Sequence, residues 1–254
     1  MEIVIIGTGN VATVLGRKLK AAGHHIAQVF GRTPIVANEL AQVLEAPFCS
    51  SWSQLNKDAD FYLVAVSDDV LQTLSDFIDL DNKLVAHTAG AVPIKVLKSI
   101  SGNYGLFYPL QSLRKDVKDL PTIPIIVEGN NAKSLERLTA IAQTISPMVT
   151  ELNDEQRLHL HLAAVLVNNF TNHLYALAEE YCIQHNLNFK KLHPLLQETA
   201  NRIQQYSPAE VQTGPAIRND TTTLQKHIDL LKDNEPLQHI YEVLSKSIWH
   251  FHKV

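Results

Sequence analysis

At 254 residues, with 45% apolar and 19% charged residues, the chain is long enough for two ordinary domains and apolar enough to bury a sizeable core. A formal charge of −4 leaves no basic excess to neutralise a phosphate backbone, and no run of about 18 apolar residues could span a bilayer, so nucleic acid and membrane are excluded as partners. Cys49 and Cys182 stand in separate segments without CxxC spacing, which predicts buried, reduced thiols in a cytoplasmic protein.

Glu2 to Ile6 is a continuous apolar run with no basic flank and a glycine turn behind it, so it reads as a strand and not as a secretion signal. Asn10 to Ala22 is an amphipathic helix, Ile26 to Phe30 a second strand, and Pro34 to Leu44 a helix opening on proline. Phe61 to Val66 and Leu84 to His87 are further buried strands, separated by a helix from Asp69 to Phe77. Gly105 to Tyr108, Ile123 to Val127 and Met148 to Leu152 extend the series, with a helix from Ala132 to Ile145 between the last two. Apolar strands joined by helical crossovers call for an α/β fold, a mostly parallel sheet with helices on both faces.

Strand signals end at Asn153, which sets the expected boundary between a domain of residues 1–152 and an all-helical domain of residues 153–254. Asn153 and Gln156 have capping-box spacing, the helical pattern runs to His185, and Asn186 suits a left-handed C-terminal position. At about 1.5 Å per residue that helix would be roughly 50 Å long, the spine of the second domain. Later helix starts are expected at Ser207-Pro208 with Glu210, at Asp220 and at Asn234. Twelve histidines invite a metal hypothesis, but the close pairs are one or two residues apart and diverge on a helix, so no metal site is expected.

Gly7-Thr8-Gly9-Asn10-Val11-Ala12 is a GxGxxA turn between the first strand and the first helix. The first glycine permits the tight turn, the second lets a pyrophosphate approach backbone, and Ala12 lets helix pack on strand, while free N–H groups and the helix dipole face the phosphates. Folds of this kind that select NAD carry an acid about 20 residues on, at the end of the second strand, to hold the ribose 2′-hydroxyl. Here Gly31-Arg32-Thr33 stands there, and a guanidinium pairs with a 2′-phosphate, so NADP(H) is the expected cofactor, held by Arg32 and Thr33.

GxGxxA, Gly31-Arg32-Thr33, VAVSDD after the strand at 61–66, HTAG after the strand at 84–87 and the long-helix domain together resemble the 6-phosphogluconate-dehydrogenase-like superfamily. This group includes ketopantoate reductase, pyrroline-5-carboxylate reductase and deazaflavin-dependent NADP reductases. Leu106-Phe107-Tyr108-Pro109-Leu110-Gln111-Ser112, and Thr213-Gly214-Pro215-Ala216-Ile217-Arg218-Asn219-Asp220 with His227, resemble more narrowly a bacterial family in which a Rossmann-type domain precedes a domain of unknown function. The resemblance implies that Val66, Ser67 and Asp68 lie along the cofactor, and that His87 and Thr88, with Gln111, lie near the nicotinamide. Ser67 and Asp68 equally suit the cap of the next helix, and His87 equally suits a hydrogen-bonded strand end. It also implies a homodimer through a helical domain that closes a cleft over the nicotinamide.

Several dehydrogenases of the superfamily carry a catalytic lysine three residues before an asparagine pair on the long helix; here Asn168 and Asn169 are present but the lysine position is Val165. Valine neither donates a proton nor stabilises an alkoxide. At 100° per residue His161 shares a face with Asn168, so His161 is a candidate general acid. The glycine-proline turn of TGPAIRND presents Arg218 to a substrate carboxylate or phosphate and Asp220 as a helix cap, with His227 two turns on. The expected catalytic set is thus His87, His161, Asn168, Arg218, Asp220 and His227. The expected activity is hydride transfer between NADP(H) and a carbonyl or imine of a small polar substrate; the alternative is a non-catalytic NADP(H) sensor or assembly module.

Overall fold

The structure, a computed structural model, describes residues 1–117 and 122–253. Among these, eight strands form one sheet: β1 (Glu2–Ile6), β2 (His25–Phe30), β3 (Phe48–Cys49), β4 (Phe61–Val64), β5 (Leu84–His87), β6 (Asn103–Pro109), β7 (Ile125–Gly129) and β8 (Val149–Glu151). Their order is β3-β2-β1-β4-β5-β6-β7-β8. Pairing is parallel from β3 through β6, antiparallel between β6 and β7, and parallel again between β7 and β8. The first six strands therefore end on one edge, and the order reverses beside β1, where open α/β sheets bind ligands.

Alternate residues of β1 feed two cores. Ile3 and Ile5 pack with Leu15 and Leu19 of α1 (Asn10–Ala21), Leu40 and Leu44 of α2 (Pro34–Leu44), and Leu138 and Ile141 of a helix at Ala132–Ile145. Val4 and Ile6 pack on the other face with Leu71, Leu74 and Leu97. Each such fully buried Ile or Leu contributes about 1.5–3 kcal/mol over its exposed state, which is why apolar runs buried on both faces settle in the sheet's centre.

Up to residue 152 the expected strands and helices recur, with differences at β3 and at residues 69–77. The two-residue β3 is too short to leave a periodic signal. The helix expected at 69–77 is α3 (Asp68–Gln72) followed by a 3₁₀ turn at Leu74–Asp76. The β-branched Thr73 tightens the chain there, its N–H and hydroxyl both donating to Val70 O at 3.3 Å. The helix at Ala132–Ile145 is α4, capped by Asn131, which accepts from Ser134 N–H.

Secondary structure turns from mixed to helical at Asn153, but packing divides the chain into compact units of residues 1–169 and 170–254. α5 (Asp154–Ala164) belongs with the sheet because Arg157 is buried there among backbone carbonyls. The Asn153/Gln156 capping box is present, at 2.9 and 3.2 Å. The single α-helix expected to His185 is corrected: α5 gives way to a π-helical stretch at Val165–Phe170 before α6 (Thr171–Gln184), and Asn186 follows at φ 56°.

The second unit continues with α7 (His193–Arg202), α8 (Thr221–Leu230) and α9 (Glu235–His252). Asp220 and Asn234 cap α8 and α9 as expected. Ser207-Pro208 opens only a turn, closed by Glu210 Oε2 accepting from Ser207 N–H at 3.2 Å. Both cysteines are free and buried, no group of residues suited to a metal occurs among the described residues, and no helix among them is long and apolar enough to cross a membrane.

Candidate functional site

A mouth of about 220 Å³ opens at the carboxyl ends of β1, β2 and β4, lined among others by Gly7, Thr8, Gly9, Arg32, Trp52 and Ser67. Gly7 has φ +120°, and a Cβ on it would lie 2.0 Å from Ala65 O, so only glycine lets β1 turn beside β4. A Cβ on Gly9 would meet nothing within 4 Å, which leaves open space against the N-cap of α1. The first turn of α1 holds no acidic residue, so its N–H groups face the mouth without a competing carboxylate. An anion fits this cradle.

Arg32 is exposed at the end of β2, and Thr33 stands at the N-cap of α2 without capping it by its side chain. The other expected cofactor residues divide. Val66 and Ser67 line the mouth, and Asp68 opens α3 behind it. Ala12 is buried in the core with Val11 packed against it, which is the close helix–strand approach the motif predicts. Asn10 Oδ1 accepts from Lys115 N–H at 3.1 Å, tying the segment after β6 to the start of α1. Gln111 is exposed and accepts from Ser112 N–H, and the buried Thr88 donates to Val64 O.

At His87 the structure shows a hydrogen-bonded strand end. Its ring is 0% exposed, Nδ1 accepts from Ala89 N–H at 3.2 Å, and Nε2 has no partner among the described residues. Burial, reinforced by the Arg157 guanidinium, pushes its pKa down to about 4, so at neutral pH the ring is uncharged and accepts from the loop at Ala89.

The carboxyl ends of β5 and β6 gather side chains from three segments. Tyr108 Oη and His161 Nδ1 are 3.0 Å apart, with the rings edge to face. Gly90 makes room for them, since a Cβ there would lie 2.7 Å from His161 Nδ1 and 2.8 Å from Tyr108 Cζ. One turn before His161, Arg157 is 1% exposed and donates to Gly90 O (2.9 Å), Val92 O, Glu128 Oε2 and Asp154 Oδ1 (2.6 Å each). Burial, together with the nearby Asp154 carboxylate, raises the Glu128 pKa against the pull of Arg157. Sequence reasoning missed Tyr108, Arg157 and Trp52 as site residues. Neither Arg157 nor Trp52 leaves a sequence signal: Arg157 stands in a polar helix pattern, DEQRLHLH, and Trp52 stacks on Phe30 at 3.6 Å.

Between His161 and Asn168 the chain passes from α5 into the π-helical stretch at Val165–Phe170. Each π step turns the chain less than an α step, so the face counted at 100° per residue shifts, and Asn168 is exposed. In the second unit Arg218 is exposed, and Asp220 accepts from the N–H and hydroxyl of Thr223, bonds that hold its carboxyl below the usual range with help from Arg218. His227 pairs with Tyr241 Oη at 2.7 Å, not with Asp220, beside an apolar groove of about 390 Å³.

Residues 2–89 match the family described as NADP oxidoreductase coenzyme F420-dependent, and residues 123–248 match a domain of unknown function, DUF2520. A Bacteroides fragilis protein assigned as an NADP oxidoreductase, BF3122, is 40% identical with TM-score 0.92, over 98% of each chain. At fold level, a Streptococcus pyogenes 1-pyrroline-5-carboxylate reductase is 13% identical with TM-score 0.67, over 97% of this chain and 98% of that one. A Myxococcus stipitatus imine reductase, solved in complex with NADP+, is 15% identical with TM-score 0.64, over 100% and 93%. No curated protein matches the chain. The chain belongs to the family of the Bacteroides fragilis protein, in which an NADP oxidoreductase domain precedes a DUF2520 domain.

Proposed function

We propose that the protein binds NADP(H) in the mouth at β1, β2 and β4 and reduces a carbonyl or imine of a small polar substrate. The observation that carries this reading is a glycine cradle at a helix N-terminus with an exposed guanidinium, and no acid, at the end of β2. Gly7 and Gly9 admit the diphosphate to backbone N–H groups, and Arg32 with Thr33 takes the 2′-phosphate. When bound, the reduced nicotinamide supplies the hydride. Arg218 suits a substrate carboxylate or phosphate, and His161 is the accessible imidazole of the first unit's site. Homodimerisation suits the helical half: Phe170, Leu174, Ile183, Leu187 and Leu195 are exposed in the second unit, apolar side chains a second copy would bury.

A second reading, a nucleotide-dependent sensor or assembly module, is favoured by Val165, an aliphatic residue where a proton-donating lysine would stand. NADPH labelled with deuterium at C4 separates the two. On the first reading, incubation with a panel of 2-keto acids, aldehydes and cyclic imines consumes NADPH and leaves carbon-bound deuterium in one product. Tight binding without consumption of NADPH by any member of the panel establishes the second.

A further inference from the structure

We propose that the Tyr108 hydroxyl, backed by His161, is the proton donor of the reduction, the pair doing the work of the absent lysine. The inference rests on the NADP(H)-reductase reading and adds a residue to it.

Position is the first argument. β1, β4, β5 and β6 run parallel, Val64 pairs with His87 and His87 with Leu106, so Tyr108, two residues further along β6, projects on the same edge as Gly7 and Ala65. Accessibility is the second: Tyr108 and His161 are both half-buried, whereas His87 is sealed in. Construction is the third. A loop glycine, a strand tyrosine and a helix histidine meet only because Gly90 lacks a Cβ, and Arg157 locks helix to loop through Gly90 O and Val92 O. Burial also raises the Tyr108 pKa against the Arg157 charge, so the phenol keeps its proton at neutral pH.

The chemistry balances. The substrate carbon gains the hydride and its π bond opens onto the heteroatom, as the phenolic O–H breaks and a heteroatom–H bond forms. Two electrons pass from the reduced nicotinamide to the substrate. The Tyr108 phenolate takes the Nδ1 proton of His161 across the 3.0 Å hydrogen bond as solvent delivers a proton to Nε2, so the ring remains a neutral imidazole.

The test compares Tyr108→Phe with wild type by three readouts. In the cofactor-free protein the substitution shifts the ¹⁵N resonances of the His161 ring, reporting loss of its partner. NADPH affinity stays within about twofold, and kcat with the panel member that wild type reduces falls by about 10²–10⁴-fold with KM little changed. His161→Gln, which keeps the phenol, falls by less. A kcat for Tyr108→Phe within about twofold of wild type, or His161 resonances that do not move, overturns the inference and leaves the reductase reading standing. A wild type that consumes no NADPH overturns both.

Discussion

At the β1–β2–β4 end of the carboxyl edge the chain meets a ligand with backbone: two glycines, a run of helix N–H groups and a single exposed arginine. At the β5–β6 end it meets one with side chains, Tyr108 against His161, held by Arg157. The first end is made within one βαβ unit, so every part lies close in sequence and is punctuated by glycine. The second spans 53 residues from Tyr108 to His161, and its keystone is a buried charge. A backbone cradle tolerates almost any side chain except where a Cβ collides, whereas a side-chain cluster fails when one partner is removed.

Gly7→Ala strikes the backbone end hardest. A Cβ 2.0 Å from Ala65 O at φ +120° combines strain with displacement of β4, and a loss of about 4–5 kcal/mol in urea unfolding, with NADPH binding abolished, is expected. Binding close to wild type would show that the cradle does not form the site. At the other end, Arg157→Met leaves Gly90 O, Val92 O and Glu128 without a donor. It is expected to cost roughly 3–4 kcal/mol by the same measurement and to loosen His161, seen as broadened ring resonances. An unchanged midpoint would mean that the cluster does not hold α5 on the sheet.

These two ends were not equally legible. GxGxxA and Gly31-Arg32-Thr33 announce themselves because a local turn needs specific residues at fixed spacing, and the bounds of α2, β5 and α4 follow from proline, apolar runs and periodicity. His161 was marked by its helical face and Tyr108 only as part of a family signature; their meeting carries no local mark, since it depends on the sheet order and on Gly90. The face shared by His161 and Asn168 was counted on an ideal helix, and the π stretch at Val165–Phe170 breaks that count. His87 suited either a place near the nicotinamide or a hydrogen-bonded strand end; parallel strands covered on both faces bury even their last residue, and its ring is 0% exposed.

A pH dependence sharpens the side-chain end. His87 titrates at about 4 in the fold and near 6.5 when unfolded, so between those values the unfolded chain binds a proton that the folded chain refuses. Stability fully present above pH 6.5 is therefore lost as pH falls toward 4, by up to about 3 kcal/mol from this group. His87→Asn, which keeps an acceptor for Ala89 N–H, should show a shallower decline of the urea midpoint between neutral pH and pH 4.5. An identical decline in both proteins would remove His87 from the account.

The central claim is that backbone amides behind β1 and the guanidinium behind β2 together select NADP(H). Calorimetric titration of wild type and Arg32→Ala with NADPH and with NADH tests it most directly. Wild type should favour NADPH by about 10- to 100-fold, and Arg32→Ala should lose that preference while NADH binding stays nearly unchanged. Equal affinities in wild type, or a preference that survives the loss of Arg32, would contradict it.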